Sequence, residues 1–150
     1  MRRTANPQQG VMLIEAMIGI LIFSIGILAL IGMQATALKN TTDARYRSEA
    51  GYLANALIGQ IRLDMANLAS YDDSVASAYG PRTNWRAQVA ATLPGIDIAA
   101  NQRVPSIAVV AGPTFVGDTQ PSSRVTVTLT WLQPGETQQH QFQIVSHVSL

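Results

Sequence analysis

An α+β fold follows from three features of this 150-residue chain. Residues 11–33 are an unbroken apolar run, helix-spaced apolar residues continue to Leu68, and the last third alternates with the two-residue period of strands. The predicted architecture is one long helix, apolar in its first half and amphipathic in its second, packed on a small antiparallel sheet within residues 106–150.

The run from Val11 to Met33 holds 23 residues with one charge, Glu15, and one hydroxyl, Ser24. As a helix it is roughly 35 Å long, enough to cross a hydrocarbon core of about 30 Å. Arg2 and Arg3 precede it and no acid does, which predicts a cytoplasmic amino terminus and a translocated remainder. Gly19, Gly26 and Gly32 lie inside the run, where glycine lets neighbouring backbones approach.

No proline interrupts residues 34–68, the amphipathic half. Leu53, Leu57, Ile61, Met65 and Leu68 step by four, four, four and three, which is one face of a helix. Lys39 to Glu49 is the most polar part, where the helix should leave the bilayer. The Asn40-Thr41-Thr42 sequon is a chance match in a sequence of bacterial character.

Residues 69–150 are the expected globular head. Ser70 to Asn84, rich in Ser, Asp and Gly with Pro81, reads as a surface loop, and Asp72-Asp73 as its solvated part rather than a calcium site. Asn84 can cap a short helix near 85–93, stopped by Pro94-Gly95. Trp85, Val89 and Leu93 share one face of it, with Trp85 as a core anchor. Ser106 to Ala111 is an apolar strand that Thr114-Phe115-Val116 extends or bulges. Arg124 to Leu132 puts Val125, Val127, Leu129 and Trp131 on one face and threonines on the other. Pro134-Gly135 suits a type II turn within a loop of about four residues. The final strand places Phe142, Ile144, Ser146, Val148 and Leu150 on its inner face.

Several chemistries find no support. With no cysteines, the head has neither disulfides nor thiolate metal sites. His140 and His147 stand seven apart in one predicted strand and so point to opposite faces; Ser146 and His147, being adjacent, also diverge. No Gly-rich phosphate loop or His-Glu-x-x-His occurs. No enzyme activity, cofactor or metal is expected.

Glu15 separates the ways of reading the apolar run. A secretory signal has an apolar region of about 7–15 residues and a small-residue cleavage site, and this run is too long. A plain anchor leaves an intramembrane carboxylate unexplained, at up to about 2.5–3.5 kcal/mol. Cleavage between Gly10 and Val11 would create an amine four residues from Glu15, cationic or nearly so at neutral pH, and that amine would pair with the carboxylate in low dielectric. The pattern Gln8-Gln9-Gly10-Val11-Met12-Leu13-Ile14-Glu15, followed by an apolar helix, resembles the class III leader of type IV pilins and pseudopilins. The resemblance continues through Leu28–Asn40, Arg47–Ala50 and Leu53–Ile58 and is strongest to PilV-like minor pilins, the type IV pilus modification family; Trp85–Gly95 and the strand ending at Trp131 echo it more weakly. Val11 and Met12 depart from that pattern, where Phe or Met and then Thr or Ser are usual.

The resemblance implies a type IV pilin-like fold and a leader at residues 1–10. It implies cleavage between Gly10 and Val11 by prepilin peptidase, N-methylation of Val11, and an assembly role for Glu15. Implied partners are the peptidase, the major pilin, other minor pilins and the inner-membrane assembly platform. The protein would sit in the bacterial inner membrane and then in the extracellular pilus, priming assembly at or near the tip and affecting adhesion. A type II secretion pseudopilin shares the leader and helix, although Tyr52-Leu53-Ala54-Asn55-Ala56-Leu57 does not reproduce the aromatic motif of the pseudopilins nearest PilV. A membrane-anchored adhesion or ligand-binding module is the other alternative. Without Arg2 and Arg3 the chain keeps 8 basic against 9 acidic residues, a balance that gives no electrostatic case for nucleic acid.

Overall fold

The computed structural model of the chain describes residues 9–75, 78–112 and 122–149. Residues 1–8 of the expected leader, Thr114-Phe115-Val116 and Leu150 lie outside them. The elements are helix α1 (Gln9–Leu63), a 3-10 helix (Met65–Tyr71), helix α2 (Gly80–Thr92), and strands β1 (Ser106–Ala111), β2 (Ser123–Trp131) and β3 (His140–Val148). They fall into two compact units, Met1–Asp43 and Ala44–Leu150.

In the first unit α1 is the whole of the described structure, and every residue from Gly10 to Thr42 is exposed. In the second, α1 buries Ala50, Leu53, Ala54, Leu57, Ile58 and Ile61, steps of three and one that keep them on one face. They meet the inner face of a sheet ordered β1-β2-β3 and antiparallel throughout. Val125, Val127, Leu129 and Trp131 are fully buried, joined by Ile107 of β1 and Val148 of β3, with Phe142 and Ile144 at the margin. Burial of each large apolar side chain contributes roughly 1.5–3 kcal/mol. Trp85, Val89 and Leu93 bring α2 into the same core, and the Trp85 indole N–H donates to the Leu53 carbonyl at 2.9 Å.

Four boundaries differ from the sequence reading. α1 stops at Leu63 rather than Leu68, and the 3-10 helix keeps Met65 and Leu68 half-buried and carries Tyr71 fully inside. α2 starts at Gly80, not Trp85, and Asn84 is not its cap; Pro81 sits in the first turn, where a missing N–H leaves no bond unmade. Ser70, Tyr71 and residues 80–84 of the expected surface loop are therefore helical, and Arg82 among them is buried, while the described residues between them stay outside helix and strand. The β2–β3 connection spans residues 132–139, longer than the expected four or so. It does contain the Pro134-Gly135 turn: Gly135 has φ +82°, and the Glu136 N–H donates to the Gln133 carbonyl at 3.1 Å. The connection is longer because its first residues pack elsewhere. The Leu132 N–H donates to the Pro94 carbonyl, and Gly95 (φ +74°) comes so close that a Cβ there would lie 2.9 Å from the Leu132 carbonyl oxygen.

Asp72 and Asp73 are not a solvated pair. Asp73 exchanges bonds with edge-strand residue Ile107: its carboxylate accepts the Ile107 N–H at 2.7 Å and its own N–H donates to the Ile107 carbonyl at 3.0 Å. Asp72 accepts the Val109 N–H at 2.5 Å and the Ser74 N–H at 2.7 Å. Arg86 holds the other Asp73 oxygen at 2.5 Å. Two side chains thus cap the outward N–H groups of Ile107 and Val109 on the edge strand β1.

Candidate functional site

Gly10, Val11 and Glu15 occupy the first turns of α1, with Val11 and Glu15 one turn apart on the same face. Nothing within the described chain explains their identities. A Cβ on Gly10 would meet no atom within 4 Å, and its backbone is not in the left-handed region, so neither packing nor conformation requires glycine there. Glu15 is exposed and makes no hydrogen bond or ion pair among the described residues. Gly19, Gly26 and Gly32 likewise face open space.

The segment is chemically prepared for an apolar medium. Its most apolar window has a mean hydropathy of 2.6 with none of it buried, and the helix is long and apolar enough to cross a membrane. Its hydroxyls are internally satisfied: Ser24 donates to the Ile20 carbonyl at 2.7 Å and Thr36 to that of Gly32 at 3.1 Å. Glu15 is the one charged residue of the 11–33 run, and no described residue pairs with it.

Three polar clusters among the described residues of the head are tied into structure. Asp64 accepts from Tyr79, from Asn67 at 2.7 Å and from Tyr71 at 3.2 Å. The Tyr79 bond first, then that of Asn67, holds its carboxyl below the usual carboxylate range. Burial, then Asp64, pushes the Tyr71 phenol well above its ordinary value, so it acts as a donor. The Tyr71 and Tyr79 rings meet edge to face at 5.0 Å, which ties the 3-10 helix to the start of α2. The second cluster is Asp72, Asp73, Arg82 and Arg86. In the third, His140 lies 2.6 Å from Glu136 and stacks on Trp131 at 5.6 Å.

His147 stands opposite Arg124 on the exposed face, away from His140. Among the described residues no three His, Asp or Glu side chains are grouped to hold a metal ion. The sequence reading missed the Asp64–Tyr71–Tyr79 cluster. One signal was available: a further step of three from Leu68 reaches Tyr71 on the same apolar face. No protein-family model, curated protein or solved structure matches this chain.

Proposed function

We propose that this chain is a minor prepilin of a type IV pilus. It is inserted in the bacterial inner membrane with a cytoplasmic amino terminus, cut after Gly10 by prepilin peptidase and methylated on the Val11 amine. It then moves into the extracellular pilus, where it helps to prime assembly at or near the tip. The observation that carries this reading is a 23-residue apolar run, exposed throughout, with a single charge, Glu15, that stands five residues beyond Gly10 and pairs with no described residue.

The chemistry follows from the geometry. In the precursor, Glu15 lies near the end of the span, where its carboxylate reaches water. In a filament it enters a core of packed helices, where an unpaired charge is penalised by several kcal/mol. Cleavage supplies the counter-charge, an amine one helical turn away on Val11 or the matching terminus of a neighbouring subunit. Methylation leaves that amine cationic. Glycine at position 10 leaves the scissile bond open to the peptidase.

The test is the mature amino terminus. Co-expression with prepilin peptidase should yield a chain beginning at N-methylated Val11 by intact mass, while Gly10→Leu accumulates as full-length precursor in the membrane. A mature terminus at any other residue overturns the reading.

A further inference from the structure

We propose that Arg124 and His147, on the uncovered face of the sheet, form a binding site for a phosphoryl group, a reading that does not depend on the minor-prepilin proposal. The two residues are register partners on β2 and β3, and Val110 of β1 lies beyond Arg124 in the same row. Both are exposed, while their chain neighbours Val125 and Val148 are buried, so strand alternation sets them on the face opposite the core. Hydrogen-bonding direction then brings them close. Asp73 and Asp72 take the N–H groups of Ile107 and Val109, which therefore point away from β2. By alternation Val110 exchanges its backbone bonds with Arg124. Arg124 has none left to turn toward β3, so it and His147 form the non-hydrogen-bonded kind of pair. Such pairs stand about 4.5 Å apart at Cα, with their side chains at the closest approach a sheet allows.

Nothing among the described residues answers these two groups. The three strands contain no Asp or Glu, and Arg124 is their one Lys or Arg. Elsewhere in the same unit Arg45, Arg62, Arg82, Arg86 and Arg103 each donate to a carboxylate, hydroxyl or carbonyl oxygen. Arg124 and His147 make no hydrogen bond or ion pair with a described residue. A guanidinium gains nothing from an imidazole as its cross-strand partner, and like charges directly opposite each other destabilise a sheet. An anion reverses that sign.

The shape fixes the size of the ligand. Arg124 and His147 line a recess of about 200 Å³ together with Val110, Ala111 and Gly112. Pockets for drug-sized molecules run to roughly 300–1,000 Å³, so this one takes a small group or the end group of a larger molecule. Its chemistry fixes the class. Arginine presents a rigid fork of N–H donors and no acceptor, and an imidazole has an N–H to give in either protonation state. The rest of the lining is alkyl and backbone, with no acidic side chain to repel an anion. Two N–H groups from the fork and one from the ring match three oxygens on one centre, as a phosphoryl group has. A carboxylate, with two, leaves a donor unused. Free phosphate and a lipid headgroup both offer that chemistry.

The test is a titration of the full-length chain in uncharged detergent. Sodium phosphate replaces sodium chloride at constant ionic strength, and the nitrogen–proton signals of the Arg124 side chain and the His147 backbone are followed. Both should shift and saturate together. Arg124→Gln should weaken binding about tenfold or more and His147→Gln about threefold, with melting like wild type because both side chains are exposed. Arg45→Gln removes the same charge from α1 and should leave the affinity unchanged. Should Arg124→Gln melt below wild type, Arg124→Lys decides: it keeps the charge but loses the fork, and wild-type affinity in it overturns the proposal. Shifts that grow without saturating report charge screening alone and overturn it. An equal loss of affinity in Arg45→Gln does so too, as does acetate binding as tightly as phosphate. Phosphatidic acid mixed into the micelles is the second arm. A response to it at lower concentration than to the free ion identifies a lipid headgroup as the source, and the reverse order identifies a soluble phosphate. Silence of both signals toward both probes overturns the site.

Discussion

Between Gly10 and Thr42 every residue of α1 is exposed, whereas between Ala50 and Ile61 the same helix buries six side chains along one face. The more apolar half is the one without a core. What separates them is the arrangement of apolar residues and not their number. The first half is apolar on all sides and can be satisfied only by an apolar medium on all sides. The second sets Arg62, Gln60 and Asn55 against Leu53, Leu57 and Ile61, so one face has somewhere to go and the other meets water. Stability of the head should therefore respond to changes in the second half and the sheet, and be deaf to changes in the first.

The largest effect belongs to the centre of the packed face. Trp131→Ala should destabilise the head by about 3–5 kcal/mol and Leu57→Ala by about 2–5 kcal/mol, measured by denaturant unfolding of the full chain in detergent. The Trp131 indole N–H is buried and has no partner among the described residues. Trp131→Phe keeps most of the volume and removes that donor, so it should cost less than about 1.5 kcal/mol. Equal losses for Ala and Phe would mean that the indole nitrogen, not the packing, matters at this site.

The next effect tests the capped N–H groups of β1. Asp72→Ala leaves the Val109 and Ser74 N–H groups without their acceptor and should cost about 1–3 kcal/mol. Burial opposes the charge on Asp72, but the hydrogen bonds from Ser74 and Val109 and the nearby Arg82 outweigh it and hold the carboxyl below its ordinary range. A depressed native pKa gives stability that is complete above the unfolded value, about 3.9, and is lost as pH falls through the native one. Asp64 is depressed as well and acts in the same sense. Melting temperature should therefore drop below about pH 4, and Asp72→Asn should flatten part of that drop. An acid limb of unchanged slope in Asp72→Asn would show that Asp72 is not a source of it.

A smaller change of opposite sign comes from Gly51. A Cβ there would lie 3.6 Å from the Phe142 ring, an ordinary contact, so Gly51→Ala should stabilise the head by roughly 0.5–1 kcal/mol through helix propensity. The same substitution at Gly19 should leave the head unchanged, because a Cβ there would meet no described atom within 4 Å.

These residues also show what the sequence could and could not reveal. β2 was legible residue by residue, because Val125, Val127, Leu129 and Trp131 alternate with threonine and a buried face demands that alternation. The packed face of α1 was legible for the same kind of reason. The start of α2 was misjudged because Pro81 signals both loop and first helical turn, and only the packing of Arg82 and Trp85 separates the two. Asp72 and Asp73 were unreadable as caps of an edge strand. Their partners lie more than thirty positions away, and no local pattern encodes a pairing between a turn and a strand. At the candidate site the residue types of Gly10 and Glu15 stood out in the sequence, and the structure adds that nothing among the described residues accounts for them.

The smallest effect on the head is the most demanding test of that contrast. Leu21→Ala and Glu15→Ala should each shift head stability by less than about 0.5 kcal/mol, as for surface positions without partners, although the first removes a large apolar side chain and the second a charge. Glu15→Ala should still insert and still be cut after Gly10, since the chain leaves the carboxylate unengaged, yet it should be recovered poorly in sheared pili. Glu15→Asp, one methylene shorter, should be intermediate because it keeps the charge and shortens the reach to a terminal amine. Head stability that fell with Glu15→Ala would mean the two halves of α1 are coupled within one chain. Wild-type recovery of Glu15→Ala in pili would leave the carboxylate without an intermolecular role. If the head is unmoved and incorporation is lost, the chemistry of the first half belongs to contacts between chains.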